Sequence, residues 1–282
     1  METTIEKMIM EACDLPAVPA VANKVMKLLA DPNTSSKKIC RAIADDQALT
    51  SRILKIANSA FYGCLRTINN LQAAVVVVGY NAIRSLVVAV STKEVYAKFG
   101  LTERMLWEHA VGTGIACHVL AKETGLTKAD DVFVCGLMHD VGKVIMNNSE
   151  SEKYGQVMEN TYNEGMPPLQ AEEQIFGFNH AEVGALVVKK WNLTEELEKA
   201  VRYHHNCQAV SDEDQYIVLL TSIVHLADLI CQRLGIGARE VDEGIDLAES
   251  DAIETIGLSR DRIEELVETI ERTYLEEKHI FE

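Results

Sequence analysis

Apolar residues return every three or four positions through most of this 282-residue chain, the spacing that lays one face of an α-helix against a core. The stripe Leu106, Ala110, Thr113, Cys117 and Leu120 is one instance. The same period predicts helices over 17–30, 35–45, 47–58, 71–97, 102–124, 130–141, 150–164, 168–176, 180–190, 194–205, 212–234 and 259–278. Their ends carry local signals. Thr102 reads as an N-cap with Leu101 stapled on Leu106, Gly125 as a stop, Ser259 as the N-cap of the last helix, and Gly142 as the left-handed residue closing the helix before it. Val75 to Val78 has strand propensity, but Leu71, Ala74, Ile83, Leu86 and Val87 keep the helical period around it. Few residues remain for sheet, so the expectation is an all-α, multi-helix bundle. It divides into an N-terminal helical part (1–98), a central helical part (99–235) and an acidic, glycine-punctuated loop with a C-terminal helix (236–282). That last helix carries Ile263, Leu266, Val267, Ile270 and Tyr274 on one side, suited to packing back on the core or to forming a dimer face.

Composition narrows the classes. A hydrophobic content of 48% over this length can bury a substantial core. Lys+Arg 27 against Asp+Glu 43 leaves a formal charge of -16, which repels phosphate backbones and argues against a nucleic-acid partner. Glu2 and Glu6 interrupt the N-terminal stretch where a leader would need a basic region and an apolar core. The apolar runs near Ala73 to Val78 and Leu86 to Val90 are too short for a bilayer, so the expectation is a cytoplasmic protein without a membrane partner. Cys13, Cys40, Cys64, Cys117, Cys135, Cys207 and Cys231 show no C-x-x-C spacing and sit mostly in apolar helical contexts. They suit reduced core thiols rather than a metal cluster.

The chemistry lies elsewhere. His109, the pair His139 and Asp140, His180, the pair His204 and His205, and Asp228 are metal-ligand types set in helical contexts. His109 lies on an inward stripe, while His118, far round the same helix, reads as a core histidine. His180 opens a helix, where it can cap or ligate. His204 and His205 close one, and neighbours on a helix diverge by about 100°, so they are not expected to serve one ion in the same way. Asp228 sits in an otherwise apolar stretch where an unpaired carboxylate is costly, which favours a cation beside it, with His225 one turn earlier as a supporting or core residue. In the N-terminal part, Arg52, Lys55 and Asn58 at i, i+3 and i+6 can form a face for a partner or an anionic ligand, or a solvated face with Asn58 as a cap.

The donor series resembles that of the HD superfamily of metal-dependent phosphohydrolases, its HD-GYP branch in particular. Leu15 to Ala30, Ala48 to Gly63, and the block Phe176, Gly177, His180, Val183 to Ala185 and Trp191 are similar to the HDOD family, the HD-related output domain of bacterial signalling proteins. The resemblance covers roughly residues 10 to 235. It implies an HDOD/HD-like helical fold in which His109, His139, Asp140, His180, His204, His205 and Asp228 hold one or two divalent ions, with Fe, Mn and Zn all compatible. HDOD domains are regarded as regulatory and often lack part of the ligand set, whereas here every position carries a competent donor. The stretch Asn206 to Asp214 after the double histidine has no Gly-Tyr-Pro to match the substrate loop of the HD-GYP cyclic-di-GMP phosphodiesterases.

Two functions follow. One is a non-catalytic signalling module that senses a metal or nucleotide in the core and acts through protein partners, since nothing in the chain resembles a receiver, kinase or cyclase domain. The other is a metal-dependent phosphohydrolase in which Asp140 serves the ions and Lys143 neutralises the phosphate.

Overall fold

The computed structural model describes residues 34–59, 67–79, 101–125, 129–191, 193–238 and 241–281, with isolated positions between 24 and 28 and between 82 and 96. Thirteen α-helices follow one another without a strand among the described residues, as the period predicts. They are α1 (Ser36–Ala44), α2 (Gln47–Ala57), α3 (Leu71–Val77), α4 (Leu101–Glu123), α5 (Ala129–Met138), α6 (Val141–Ser149), α7 (Ser151–Glu164), α8 (Pro168–Phe176), α9 (His180–Lys190), α10 (Glu195–Tyr203), α11 (Gln215–Arg233), α12 (Ala252–Ile256) and α13 (Arg260–Phe281). The predicted helix over 17–30 lies largely outside the described residues, as do Cys13 and Cys64.

Helix α4 is the axis. It packs against α5, α11 and α13, and α9 fills the far side against α6 and α10. Such a central helix needs apolar or small residues nearly all round, and residues 109–118 of α4 are buried without a break. Helices α1, α2 and α3 pack on one another, and α2 reaches α13. The amphipathic α13 does pack back, burying Ile263, Leu266, Val267, Ile270 and Tyr274. Arg262 adds a two-pronged ion pair to Glu123 of α4 (2.7 and 2.8 Å). Ser259 caps α13 as expected, accepting from the Arg262 N–H at 3.3 Å.

Several boundaries differ from the local signals. Thr102 lies inside α4, which is already helical at Leu101. The predicted 71–97 helix stops after Val77, because Gly79 adopts φ 93°. The acidic loop contains a 3-10 turn (Leu247–Glu249) and α12. The largest departure is at Gly142, which does not close a helix. The chain leaves α5 at Met138, turns through His139 and Asp140, and starts a new helix, α6, that contains Gly142. Its glycine identity answers a packing demand: a Cβ there would meet the His180 carbonyl oxygen at 1.9 Å and the Gly184 nitrogen at 2.8 Å, both on α9.

Helix α11, with 19 residues and a mean hydropathy of 1.4 over its most apolar window, is long and apolar enough to cross a bilayer, contrary to the reading that no run would be. Here it is a core helix, burying ten residues from Leu220 to Cys231, Asp228 among them. The five described cysteines are buried, in keeping with core thiols.

Candidate metal centre

All seven donors named from the sequence meet in one place. His109 comes from the middle of α4 and Asp228 from α11. His139 and Asp140 form the junction between α5 and α6, His180 opens α9, and His204 and His205 follow the end of α10. Five donors therefore sit at helix ends, where the backbone turns and side chains of separate helices can converge. Asp140 stands at the N-cap position of α6, where the helix dipole favours a carboxylate. An Asn179–Glu182 capping box sets the start of α9 and with it the direction of His180.

Two donor groups result: Asp140 with His180, His204 and His205, and Asp228 with His109 and His139, each group with its ligand atoms within 4.8 Å of one another. In the first, His180 Nε2 is 3.1 Å from Asp140 Oδ1, 3.3 Å from His204 Nε2 and 2.9 Å from His205 Nε2. In the second, His109 Nε2 and His139 Nε2 lie 3.0 and 3.7 Å from Asp228 Oδ1. Two ligands about 2.1 Å from one tetrahedral ion stand about 3.4 Å apart, within the 2.9 to 3.7 Å span of the two groups together. Asp140 links the groups, since its Oδ2 is 3.4 Å from His139 Nε2 and 3.8 Å from His109 Nε2. Asp228 does so too, its Oδ2 lying 3.8 Å from His205 Nδ1.

His204 and His205, expected to serve an ion in different ways, fall in the same group with ring centroids 3.9 Å apart, and of the two only His205 also comes within 3.8 Å of Asp228 in the other.

The histidines are set for metal by what their other nitrogens do. The Nδ1–H groups of His109, His139 and His204 donate to the carbonyl oxygens of Ile236 (3.0 Å), Gly136 (2.6 Å) and Val201 (2.7 Å). A carbonyl can only accept, so each Nδ1 keeps its proton and each Nε2 is left to face inward. His180 Nδ1 donates to Glu172 Oε2 at 2.7 Å, and the same oxygen takes the His180 backbone N–H at 2.8 Å. This carboxylate–imidazole pair is the arrangement that orients and strengthens a metal-ligating histidine. His225 Nδ1 donates to the His204 carbonyl at 2.6 Å, a contact that fits either of its two readings. Gln232 Nε2 donates to Asp228 Oδ1 at 2.7 Å.

Sequence reasoning missed Glu172 and Gln232. Gln232 follows Asp228 at i+4, a readable signal. Glu172 stands beside Glu173 in a polar run, and nothing local marks which of the two turns inward.

The centre is closed. His139, Asp140, His180, His204 and Asp228 are buried, and only the His205 side chain, at 24%, is appreciably open to solvent. Burial raises the Asp140 carboxyl, but His139, Lys143 and His180 outweigh it and hold the group well below the ordinary range. Burial lowers His139, but the Asp140 and Asp228 carboxylates outweigh that and lift it to about 10. Burial takes His204 down to about 4. Lys143 Nζ donates to Asp140 Oδ2 at 2.7 Å, so this lysine sits on the bridging carboxylate.

Does the donor set fit a cation? Nitrogens 2.9 and 3.3 Å apart cannot present two lone pairs to each other, so a proton or a metal must lie among them. His139 Nε2 and Asp140 Oδ1 are buried with no hydrogen-bond partner, although nearly every buried polar atom in a folded protein has one. Both observations are met by a divalent ion.

Known proteins are similar to this chain in sequence and in fold. A protein of Treponema pallidum (strain Nichols) is 27% identical over 214 residues, 76% of this chain but 42% of its own length, so this chain spans less than half of that relative. An HDOD domain protein of unknown function from Geobacter sulfurreducens superposes with a TM-score of 0.78 at 25% identity, covering 98% of this chain and 95% of its own. A candidate phosphohydrolase from Shewanella amazonensis SB2B shares the fold at a TM-score of 0.73 and 21% identity, covering 97% of both chains. The model of the HDOD domain matches residues 15–207, which is more than half of the sequence and takes in six of the seven donors, and the chain therefore belongs to the HDOD family.

Proposed function

We propose that this chain is a regulatory HDOD module whose central helices hold one or two divalent ions and which acts through protein partners rather than by turnover. One observation carries the reading: the complete donor set converges in a closed core, with its histidines tied from behind and Lys143 seated on Asp140. An ion here would stabilise the folded module by mass action, increasingly as its free concentration rises above its Kd. His180, His204, His205 and Asp140 would hold one ion, and His109, His139 and Asp228 with the shared Asp140 a second. The metal's chemistry, when bound, is charge neutralisation of the two buried carboxylates. Glu172, Gln232 and His225 do the rest by fixing ligand direction.

A metal-dependent phosphohydrolase is the second reading. It is favoured by the two carboxylates that link the donor groups, an arrangement suited to a two-ion hydrolytic centre. In that reading His205 lies at the solvent side and Lys143 would leave Asp140 to meet a phosphate.

Elemental mass spectrometry of protein purified without chelators, with Asp140→Ala as control, tests the shared premise. One or two equivalents of Fe, Mn or Zn, lost in the control, are expected, and an apoprotein that stays empty when metal is supplied would sink both readings. A general phosphodiesterase substrate screen on the loaded protein separates them: turnover abolished in Asp140→Ala would replace the regulatory reading with the enzymatic one.

A further inference from the structure

The sequence places Arg52 and Lys55 on one helix with two possible roles, and the structure gives them a cavity. Between α2, the start of α4 and the end of α13 lies a half-open space of about 210 Å³ that includes Arg52, Lys55, Lys93 and Trp107 in its lining. Its walls include Ile56, Val90 and Phe281, and no Asp or Glu lines it among the described residues, in a chain whose formal charge is -16. Helix α13 accounts for part of this charge. Lys55 Nζ donates to the His279 carbonyl (2.9 Å) and Lys93 Nζ to the Phe281 carbonyl (3.0 Å), the expected place for cations at a helix C-terminus. An ammonium has three N–H groups, so Lys55 keeps donors for another acceptor. Lys93 also lies 5.8 Å from the centre of the Trp107 ring. The helix end explains neither Arg52, whose guanidinium makes no ion pair among the described residues, nor the apolar hollow beside it.

We propose that this cavity binds a small organic anion, a phosphate or carboxylate head on an apolar or aromatic body. Arg52 and Lys55 receive the head, and Trp107 and the aliphatic walls receive the body. Size limits the ligand: a cavity of about 150 Å³ accepts benzene, so this half-open one encloses about eight non-hydrogen atoms, fewer than a nucleotide has. The site is separate from the metal centre but joined to it through α4, which carries Trp107 and His109 two residues apart. The inference does not depend on metal binding.

The test uses the full chain labelled with ¹⁵N, following the indole N–H resonance of Trp107 during titration with phenyl phosphate or phenylacetate. Phenol serves as the uncharged comparison. The expected result is a saturable shift with either anion and none with phenol at the same concentration. Binding should weaken at least tenfold in Arg52→Glu, whose exposed side chain leaves the fold intact, and should persist in His205→Ala. Three outcomes would overturn the proposal: no saturable shift with either anion, phenol binding as well as they do, or affinity unchanged in Arg52→Glu. A shift lost in His205→Ala and kept in Arg52→Glu would also overturn it, by placing the anion at the metal centre.

Discussion

Glu172 receives two hydrogen bonds from a single residue, the backbone N–H and the Nδ1–H of His180, and is fully buried in doing so. Removing it leaves two buried donors without an acceptor and a ligand free to rotate. Glu172→Ala should lower metal affinity by roughly 10- to 100-fold, the usual effect of losing the group behind a ligating histidine. A competitive chelator titration measures this, and wild-type affinity in the variant would remove Glu172 from the site. Two other residues set the pH response of the metal-free protein. His139, lifted to about 10, binds a proton more tightly folded than unfolded, so its contribution is full below its ordinary 6.5 and is lost as pH rises toward 10. His204, held near 4, resists protonation in the fold, so stability falls as pH drops from 6.5 toward 4. Each group contributes a slope of at most about 1.4 kcal/mol per pH unit. Denaturant midpoints of the apoprotein should peak near neutral pH, and saturating metal, by displacing the His139 proton, should flatten the alkaline limb. A monotonic profile through this range would contradict the assignment.

Helices α6 and α9 approach so closely that Gly142 meets the backbone of His180 and Gly184. A methyl group there cannot be absorbed by a side-chain rotation, because its neighbours are main-chain atoms. Gly142→Ala should cost about 1–3 kcal/mol or more, the range for overpacking, and should reduce bound metal by pushing His180 from Asp140. Gly155, in the middle of α7, has nothing within 4 Å of a Cβ. Gly155→Ala should therefore stabilise by about 0.5–1 kcal/mol through helix propensity alone and leave metal content untouched. Chemical denaturation of the two variants side by side checks the contrast, and equal effects would mean that the α6–α9 contact is loose.

At the scale of the whole molecule, α13 closes the bundle by two kinds of interaction with different weights. The Arg262–Glu123 pair is exposed to solvent and screened by it, so it adds little, whereas fully buried Ile270 should cost about 2–5 kcal/mol when cut to alanine. Thermal unfolding of Arg262→Ala and Ile270→Ala should show that order, and the reverse would mean that ion pairs rather than packing hold α13. The same helix end forms part of the anion cavity, and α4 touches both cavity and metal centre, so packing of α13 bears on both sites.

The all-helical class and the seven donors were legible in the sequence because each rests on local information. The 3.6-residue period needs only a few turns of chain, and ligand chemistry is a property of residue type. The cap at Ser259 and the inward stripe of His109 were legible for the same reason. Gly142 was misread because a glycine in a turn-like context and a glycine at a helix crossing look alike until the other helix is known. Glu172 could not be told from Glu173, since burial alone separates them and burial is set by α9 arriving from elsewhere in the chain. Tertiary structure also decided which donors share an ion, that Asp140 and Asp228 link the two groups, and that Arg52 and Lys55 face a cavity. These are distances between segments far apart in sequence, determined by how helices pack rather than by any pattern within one of them.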